Sequence, residues 1–205
     1  MFYTHALVGG GAERVWARLA AGFARRGDEV DFVVDFEAKE NLRFLGDAAR
    51  LVVLPRGHAA ATLALAGHLR RRKPHASLSA ISVSNLKHTA AATLASRRDR
   101  AIISYHGFYE NERERLSNIG YRLTRPLSNA TARTIAVSDS LRSDLIWRFG
   151  VSPERIETIF NPGAPDPFPP DRSVAEIAAR APVVAAVGRL APDKNFVGLL
   201  HAFAK

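Results

Sequence analysis

The stretch that decides the fold is ALVGGGAERVWARLAAGFARRGDEVDFVV, residues 6–34. It starts in a short apolar run, passes through three consecutive glycines and a helical segment, and ends in a second apolar run. Within the helical segment, apolar residues recur every three or four positions, at Ala12, Val15, Trp16, Leu19, Ala20 and Phe23. This order predicts a β-α-β unit with a glycine turn at the carboxyl end of its first strand.

The same alternation continues along the chain. Apolar runs predict strands at residues 2–8, 29–34, 50–54, 76–81, 101–105, 134–137 and 156–160. Several of these runs are near-continuous rather than alternating, as expected of parallel strands that are covered on both faces. Helical periodicity fills the gaps, including one helix through Leu116, Ile119, Gly120, Leu123 and Leu127. We therefore expect an α/β fold, a doubly wound parallel sheet with right-handed crossovers.

The composition changes at Asn161, where NPGAPDPFPPDRS carries five prolines in thirteen residues. Such a segment continues neither a helix nor a central strand, so it predicts a linker. A helix at Val174–Arg180, a strand at Val183–Val187 and a last helix follow. The expected organisation is a domain at 1–165, a linker at 166–181, and the first strand and helix of a second, truncated domain at 182–205.

The composition narrows the functional classes. The chain has 205 residues, 47% of them hydrophobic, as in soluble globular proteins, and no cysteine. The absence of cysteine excludes disulfides, thiolate nucleophiles and zinc sites built on sulfur. No apolar run approaches the length of a membrane span, and no secretory signal opens the chain. We expect a cytoplasmic protein, with any membrane contact peripheral.

The net charge of +9 leaves several partners open. A solvated basic surface is the simplest interpretation, and attraction to anionic lipid or phosphorylated substrates is the alternative. The densest basic runs, residues 70–73 and 97–100, fall at the ends of predicted helices, where they complement the helix dipole. Aromatic residues do not interleave with them, which argues against nucleic acid as a partner.

The first candidate site is the glycine loop, Gly9 to Gly11. It lies at the carboxyl edge of the sheet and at a helix N-terminus, where backbone N–H groups favour phosphate. A flexible turn is the alternative. The spacing is not G-x-G-x-x-G, and Asp35 stands where dinucleotide enzymes place a ribose-binding acid. The loop by itself is therefore compatible with either a dinucleotide or a sugar nucleotide as its ligand.

Three further candidates follow strands. His106 comes directly after the fifth strand, where it can bond a substrate hydroxyl or a phosphate, or serve only as a loop residue. Ser138 stands at a strand-to-helix junction, as a helix N-cap or as a ligand contact. Asn161 precedes Pro162, which favours a turn.

Arg189 and Lys194 flank the loop between the strand and the helix of the second domain. Two cations at a helix N-terminus suit a diphosphate leaving group, because negative charge grows on it as its bond to a sugar breaks. The alternative is a solvated loop.

Five motifs occur in order: GGGAERV, HG, AVSDSLRSDL, RIETIFNPG and VVAAVGRLAPDKNFVGLLHAFAK. Together they resemble the retaining GT-B glycosyltransferases of family 4, also called group 1, over nearly the whole chain. The resemblance implies two Rossmann-like domains facing a cleft, with the acceptor bound by the first and the nucleotide sugar by the second. It also implies that this chain lacks most of the donor domain, including the glutamate pair of the family.

The resemblance implies roles by position. Gly10 and Gly11 approach the donor's phosphate and sugar, His106 contacts the sugar at the reaction centre, and Arg189 and Lys194 hold the diphosphate. Acceptor-side or hinge positions match Gly9, Ser138 and Asn161. The implied reaction is a front-face displacement with retention, which needs no metal and no cofactor besides the nucleotide sugar.

One loop departs from the family pattern: it reads Asn161-Pro162-Gly163-Ala164 where the family usually has Asn-Gly-Val-Asp. Because the loop borders the interdomain hinge, the change bears on domain closure or acceptor shape.

The leading hypothesis is thus a glycosyltransferase acting on a glycan or a lipid-linked acceptor, in polysaccharide or lipopolysaccharide synthesis, near an anionic membrane surface. The alternatives are a dinucleotide-dependent oxidoreductase and a non-catalytic glycan- or lipid-binding module. We expect the 205-residue chain alone not to transfer sugar.

Overall fold

The computed structural model describes residues 1–47, 49–112, 115–162, 173, 176, 178–179, 183–188, 190 and 194–204. The chain divides into two compact units, Met1–Pro162 and Gly163–Lys205.

The first unit is built on one seven-stranded parallel sheet with the order β3-β2-β1-β4-β5-β6-β7. All seven predicted strands are confirmed, although most are shorter than the apolar runs that predicted them. Their bounds are β1 Phe2–Thr4, β2 Asp31–Val34, β3 Arg50–Val53, β4 Ser77–Ala80, β5 Ala101–Tyr105, β6 Arg133–Ala136 and β7 Ile156–Thr158. The fold is therefore the predicted doubly wound α/β sheet.

Six helices cover the two faces of this sheet within the described part of the first unit. They are α1 Gly11–Arg25, α2 His58–Arg72, α3 Ser82–Leu94, α4 Arg115–Arg122, α5 Thr124–Ala130 and α6 Asp139–Trp147. The single helix predicted through Leu116 and Leu127 is wrong, because the chain breaks at Leu123 into α4 and α5. Pro126 has no N–H to continue α4, and its ring tolerates only the first turn of a new helix.

Burial on both faces explains why the strands read as continuous apolar runs. Phe2 and Phe32 pack with Trp16 of α1 on one face. Tyr3 and Val33, their neighbours in the chain, pack with α2 and α3 on the other. Successive side chains of a strand point to opposite faces, so a strand with helices on both sides has no face turned to solvent.

The strand order reverses between β1 and β4. The chain first adds β2 and β3 on one side of β1 and then returns to place β4 on the other side. The loops that follow β1 and β4 therefore diverge and leave a crevice at the carboxyl edge, which is where open α/β sheets bind ligands.

A buried polar cluster fixes α3 on the sheet. Asn85 donates to Ser104 O of β5 at 2.9 Å, and its Oδ1 accepts the hydroxyl of Ser79 at 2.8 Å. Because the Ser79 proton is used there, Ser79 Oγ must accept from His88, whose Nδ1 lies 2.9 Å away. Burial lowers the pKa of His88 to about 3, so this ring is neutral at pH 7.

The second unit contains α7, Phe196–Phe203, which Asn195 caps by accepting the N–H of Gly198 at 3.2 Å. The strand predicted at Val183–Val187 is wrong: residues 183–188 adopt no regular secondary structure. A strand requires a hydrogen-bonded neighbour, and none pairs with these residues in the described part of the unit. The predicted helix at 174–180 falls largely outside the described residues.

None of the described helices combines the length and the apolar character that crossing a membrane would require.

The contact between α4 and α3 makes Gly120 a sensitive position. A Cβ at Gly120 would lie 2.8 Å from the backbone oxygen of Ser82, closer than real contacts allow. We expect Gly120→Ala to lower the free energy of unfolding by about 1–3 kcal/mol, measured by urea titration. The matched control is Gly22→Ala in α1. A Cβ at Gly22 would have its nearest neighbour, the side chain of Arg25, 3.9 Å away, so this substitution should raise the free energy of unfolding by about 0.5–1 kcal/mol. Equal effects of the two substitutions would contradict this packing.

Candidate functional site

The glycine loop joins β1 to α1 at the carboxyl edge of the sheet. It closes in a three-residue turn in which Gly10 N donates to Val8 O at 2.7 Å. Helix α1 begins at Gly11, and its N-cap, Gly10, has no capping side chain. The carboxylate of Glu13 lies against Gly10, so an anionic group already occupies the position that the helix dipole favours.

Asn41 holds the backbone of this loop from the connection between β2 and β3. Its side-chain amide donates to Val8 O and, at 3.0 Å, to Gly10 O, and its backbone N donates to Leu7 O at 3.0 Å. Asn41 is only 5% exposed. The loop is thus fixed by three bonds from one residue, which the sequence reasoning did not identify.

The glycines of the loop are not required by backbone conformation. None of the three has a positive φ. A Cβ at Gly9 or Gly11 would meet no atom within 4 Å, whereas one at Gly10 would collide with Glu13. Packing against Glu13 therefore explains the glycine at position 10. No contact in the described part of the protein requires glycine at positions 9 and 11.

His106 follows β5 at the same edge of the sheet. Its Nε2 lies 2.7 Å from Ser104 Oγ, and its buried Nδ1 has no hydrogen-bond partner among the described residues. Burial lowers the pKa of His106 to about 4. At neutral pH the ring is therefore uncharged, which suits a hydrogen bond to a hydroxyl and makes it a poor electrostatic partner for phosphate.

Trp16 connects the glycine loop to His106. It lies on α1, five residues after the helix begins, and packs edge-to-face against the His106 ring with centroids 5.2 Å apart. Its Nε1 is also buried and has no hydrogen-bond partner in the described part of the chain. The structure thus brings α1 and His106 together and leaves a polar nitrogen unpaired on each ring.

Asp35 is fully engaged within the protein. One carboxylate oxygen accepts Tyr3 OH at 2.8 Å, and the other contacts His5 Nδ1 at 2.5 Å and the ammonium of Lys87. Burial alone would raise the pKa of Asp35, but the hydrogen bonds from these partners and the charge of Lys87 hold it below its ordinary value. A carboxylate paired in this way is not available to a ribose, which argues against the dinucleotide hypothesis.

The junction between β4 and α3, on the other side of the crevice, is strained. Ile81 has φ 68° and ψ 151°, a conformation that a β-branched residue rarely adopts and that costs about 1–3 kcal/mol. Two backbone bonds hold it, from Ile81 N to Ser104 O at 3.2 Å and from Asn85 N to Ile81 O at 2.9 Å.

Ser138 and Asn161 have structural positions that account for them. Ser138 is the N-cap of α6, and its Oγ accepts the N–H of Leu141 at 3.2 Å. Asn161 is exposed beyond β7, next to Pro162 at the end of the first unit. Their predicted acceptor-side or hinge roles stay predictions.

Of the two predicted diphosphate ligands, Arg189 lies outside the described residues. Lys194 is exposed and directly precedes Asn195, the N-cap of α7, and its role as a diphosphate ligand stays a prediction. Its aliphatic stem runs beside Gly188, since a Cβ at that glycine would lie 3.5 Å from Lys194 Cγ.

The sequence profile of Glycosyltransferase Family 4 matches residues 9–163, a range that opens on the glycine loop and ends at the boundary of the first unit. The chain belongs to glycosyltransferase family 4. A comparison with curated proteins gave no match.

The crystal structure of Anabaena Alr3699/HepE in complex with UDP and glucose has a similar fold, with a TM-score of 0.61 and 15% sequence identity. The likeness covers 78% of this chain and 43% of that chain. The family 4 chain thus spans less than half the length of that protein, and at this identity the likeness establishes the fold alone. The Rossmann-like fold expected for the first domain of a GT-B enzyme is confirmed.

Asn41→Ala should destabilise this family 4 domain by about 1–3 kcal/mol, because the carbonyls of Val8 and Gly10 lose the donor that the buried Asn41 side chain supplies. Urea titration measures the loss, and amide hydrogen exchange should accelerate at Gly10. Asn129→Ala, at an exposed position on α5, is the matched control and should change stability by less than about 0.5 kcal/mol. Unchanged exchange at Gly10 would contradict the role given to Asn41.

His106 should make stability depend on pH. The unfolded histidine takes up a proton below about 6.5. The folded one resists protonation until about pH 4. The contribution of His106 to the free energy of unfolding is therefore fully present above pH 6.5. It is lost as the pH falls to 4, by about 3 kcal/mol in total. Urea titrations at several pH values should give a shallower fall for His106→Gln than for the wild type. His75→Gln, an exposed control, should follow the wild type, and parallel curves for all three would refute the low pKa.

Proposed function

We propose that this chain is the acceptor-side domain of a retaining glycosyltransferase that uses a nucleotide-sugar donor and needs no metal ion. The observation that carries the proposal is the pairing of His106 and Trp16 at the edge where the glycine loop lies. Each ring carries a buried nitrogen that has no hydrogen-bond partner among the residues that the structure describes. The family match supports the same reaction class. The structure of HepE in complex with UDP and glucose supports a nucleotide sugar as donor.

Each proposed role follows from the geometry of its residue. The neutral ring of His106 is suited to accept from or donate to a sugar hydroxyl through Nδ1. Gly9 and Gly11 leave space beside the backbone, which lets the donor's phosphate and sugar approach α1 closely. A diphosphate at this terminus would replace the carboxylate of Glu13 as the anion that the helix dipole favours.

In the proposed reaction, the bond between the anomeric carbon and the diphosphate oxygen breaks while the acceptor oxygen attacks from the same face. The acceptor's proton passes to the departing phosphate oxygen, so the reaction requires no protein base and no cofactor. Arg189 and Lys194 stabilise the charge that grows on the diphosphate. Because the attack and the departure share one face, the anomeric configuration is retained.

The test is a screen of nucleotide sugars with the full-length protein, following nucleotide release. His106→Ala should lower kcat/KM about 100-fold, the order seen when one transition-state hydrogen bond is removed. His75→Ala, the substitution of an exposed histidine, should leave it unchanged. NMR of the product should show the anomeric configuration of the donor, and EDTA should have no effect.

A full-length protein that binds glycan or lipid but turns over no nucleotide sugar would instead favour the non-catalytic module.

A further inference from the structure

The hydrogen bond between Ser104 and His106 has two possible directions. Ser104 lies on β5, two residues before His106, the spacing at which side chains of an extended chain share one side. Its Oγ is 2.7 Å from His106 Nε2, and Ser104 is only 1% exposed. In a neutral ring, Nε2 is either an acceptor or an N–H donor, and the other nitrogen has the opposite character. The direction of this bond therefore decides what His106 offers through Nδ1.

The two directions differ in the number of polar groups that they leave unpaired. If Ser104 donates, its hydroxyl proton is used, and on the ring only the N–H of Nδ1 lacks a partner among the described residues. If Nε2 donates, the hydroxyl proton of Ser104 has no acceptor in the described part of the chain, and the lone pair of Nδ1 is unpaired as well. Because each buried unpaired group costs free energy, the first direction is the more stable one.

The backbone is fixed on both sides of this bond. Asn85 Nδ2 donates to the backbone carbonyl of Ser104 at 2.9 Å. On the other side, the hydroxyl of Tyr121 donates to the backbone carbonyl of Gly107, the residue that follows His106. These two contacts keep Ser104 Oγ and His106 Nε2 within bonding distance.

His88 provides a reference for the direction of such a bond. Its Nδ1 carries the ring proton, because it donates to Ser79 Oγ, and so its Nε2 can only accept. Ser77 Oγ lies 2.8 Å from this Nε2, nearer than it lies to Arg100 O at 3.3 Å, and therefore donates to the ring. In this pair, a buried serine hydroxyl donates to Nε2 of a neutral histidine whose proton is on Nδ1.

We infer that Ser104 is a positioning residue that donates to His106 Nε2 and holds the ring in the Nδ1–H tautomer. His106 then meets its ligand as a hydrogen-bond donor, and the ligand oxygen must accept. The ring retains no free lone pair, so it cannot take the proton of the acceptor hydroxyl. The tautomer stands independently, whereas its effect on transfer rests on the proposed function, in which the departing phosphate takes that proton.

Long-range ¹H–¹⁵N NMR of the labelled chain at pH 7 tests the tautomer, because protonated and unprotonated ring nitrogens have very different ¹⁵N shifts. The chain has seven histidines, and His106→Gln identifies the signals of His106. We expect Nδ1 to be its protonated nitrogen. Ser104→Ala should raise the population of the Nε2–H tautomer about three- to tenfold, the factor that one hydrogen bond represents. Ser104→Thr, which keeps the hydroxyl, should restore the Nδ1–H tautomer.

Turnover of a nucleotide sugar by the full-length protein tests whether the tautomer matters for transfer. Ser104→Ala should lower kcat/KM about three- to tenfold, and Ser104→Thr should recover it to within about twofold. In the His106→Ala background, Ser104→Ala should have no further effect, because Ser104 acts only through the imidazole. Losses that multiply in the double variant would overturn the positioning role.

The matched control is Ser77→Ala, which removes the same type of bond from His88. It should leave the ¹⁵N shifts of His106 and kcat/KM as in the wild type. Circular dichroism should show each variant folded. A protonated Nε2 in the wild type would overturn the inference whether or not the variants fold, and so would a Ser104→Ala spectrum that matches the wild type at His106.

The two readouts separate this inference from the proposed function. An Nδ1–H tautomer that depends on Ser104, in a full-length protein that turns over no nucleotide sugar, would refute the proposed function and leave the tautomer standing. Turnover by a protein whose His106 carries its proton on Nε2 would do the reverse.

Discussion

The constraint on which the rest of the structure depends is that all seven strands run parallel. Each connection must then return the chain to the same starting edge, so every loop that follows a strand begins at the carboxyl edge of the sheet. The glycine loop, Asp35, Ile81 and His106 come from four different connections, yet they share this edge for that reason alone. The reversal of strand order between β1 and β4 then opens the edge at one place.

The sequence predicted what short-range patterns determine. Burial of Phe2 and Tyr3 on opposite faces places two consecutive large apolar side chains in β1, so the strand is visible without any tertiary information. The break between α4 and α5 is also local, but the apolar spacing of Leu116 to Leu127 continues through it and conceals the effect of Pro126. The segment Val183–Val187 has the composition of a strand, but pairing depends on a neighbour that composition does not reveal.

In the candidate site, too, short-range patterns predict some residues, and others are recognised only from tertiary contacts. His106 and the glycine loop were predictable because each directly follows a strand. Asn41 was not, since it acts across 31 residues through its side chain and stands in a segment with no distinguishing pattern. Lys87 was missed for a similar reason: a lysine on a helix is usually solvated, and only the tertiary structure shows it 4% exposed and bound to Asp35. That pairing also gives Asp35 a role different from the one its position suggested.

The hold of Asn41 on the glycine loop has a thermodynamic consequence. Fixing the backbone of a residue costs about 1–2 kcal/mol in conformational entropy. A glycine loop without such hydrogen bonds would lose this entropy on ligand binding, which would weaken the affinity. Here three hydrogen bonds order the backbone from Leu7 to Gly10 during folding. A ligand that reaches this segment meets a surface whose ordering is already complete, so the free energy of its contacts goes into affinity rather than into loop closure.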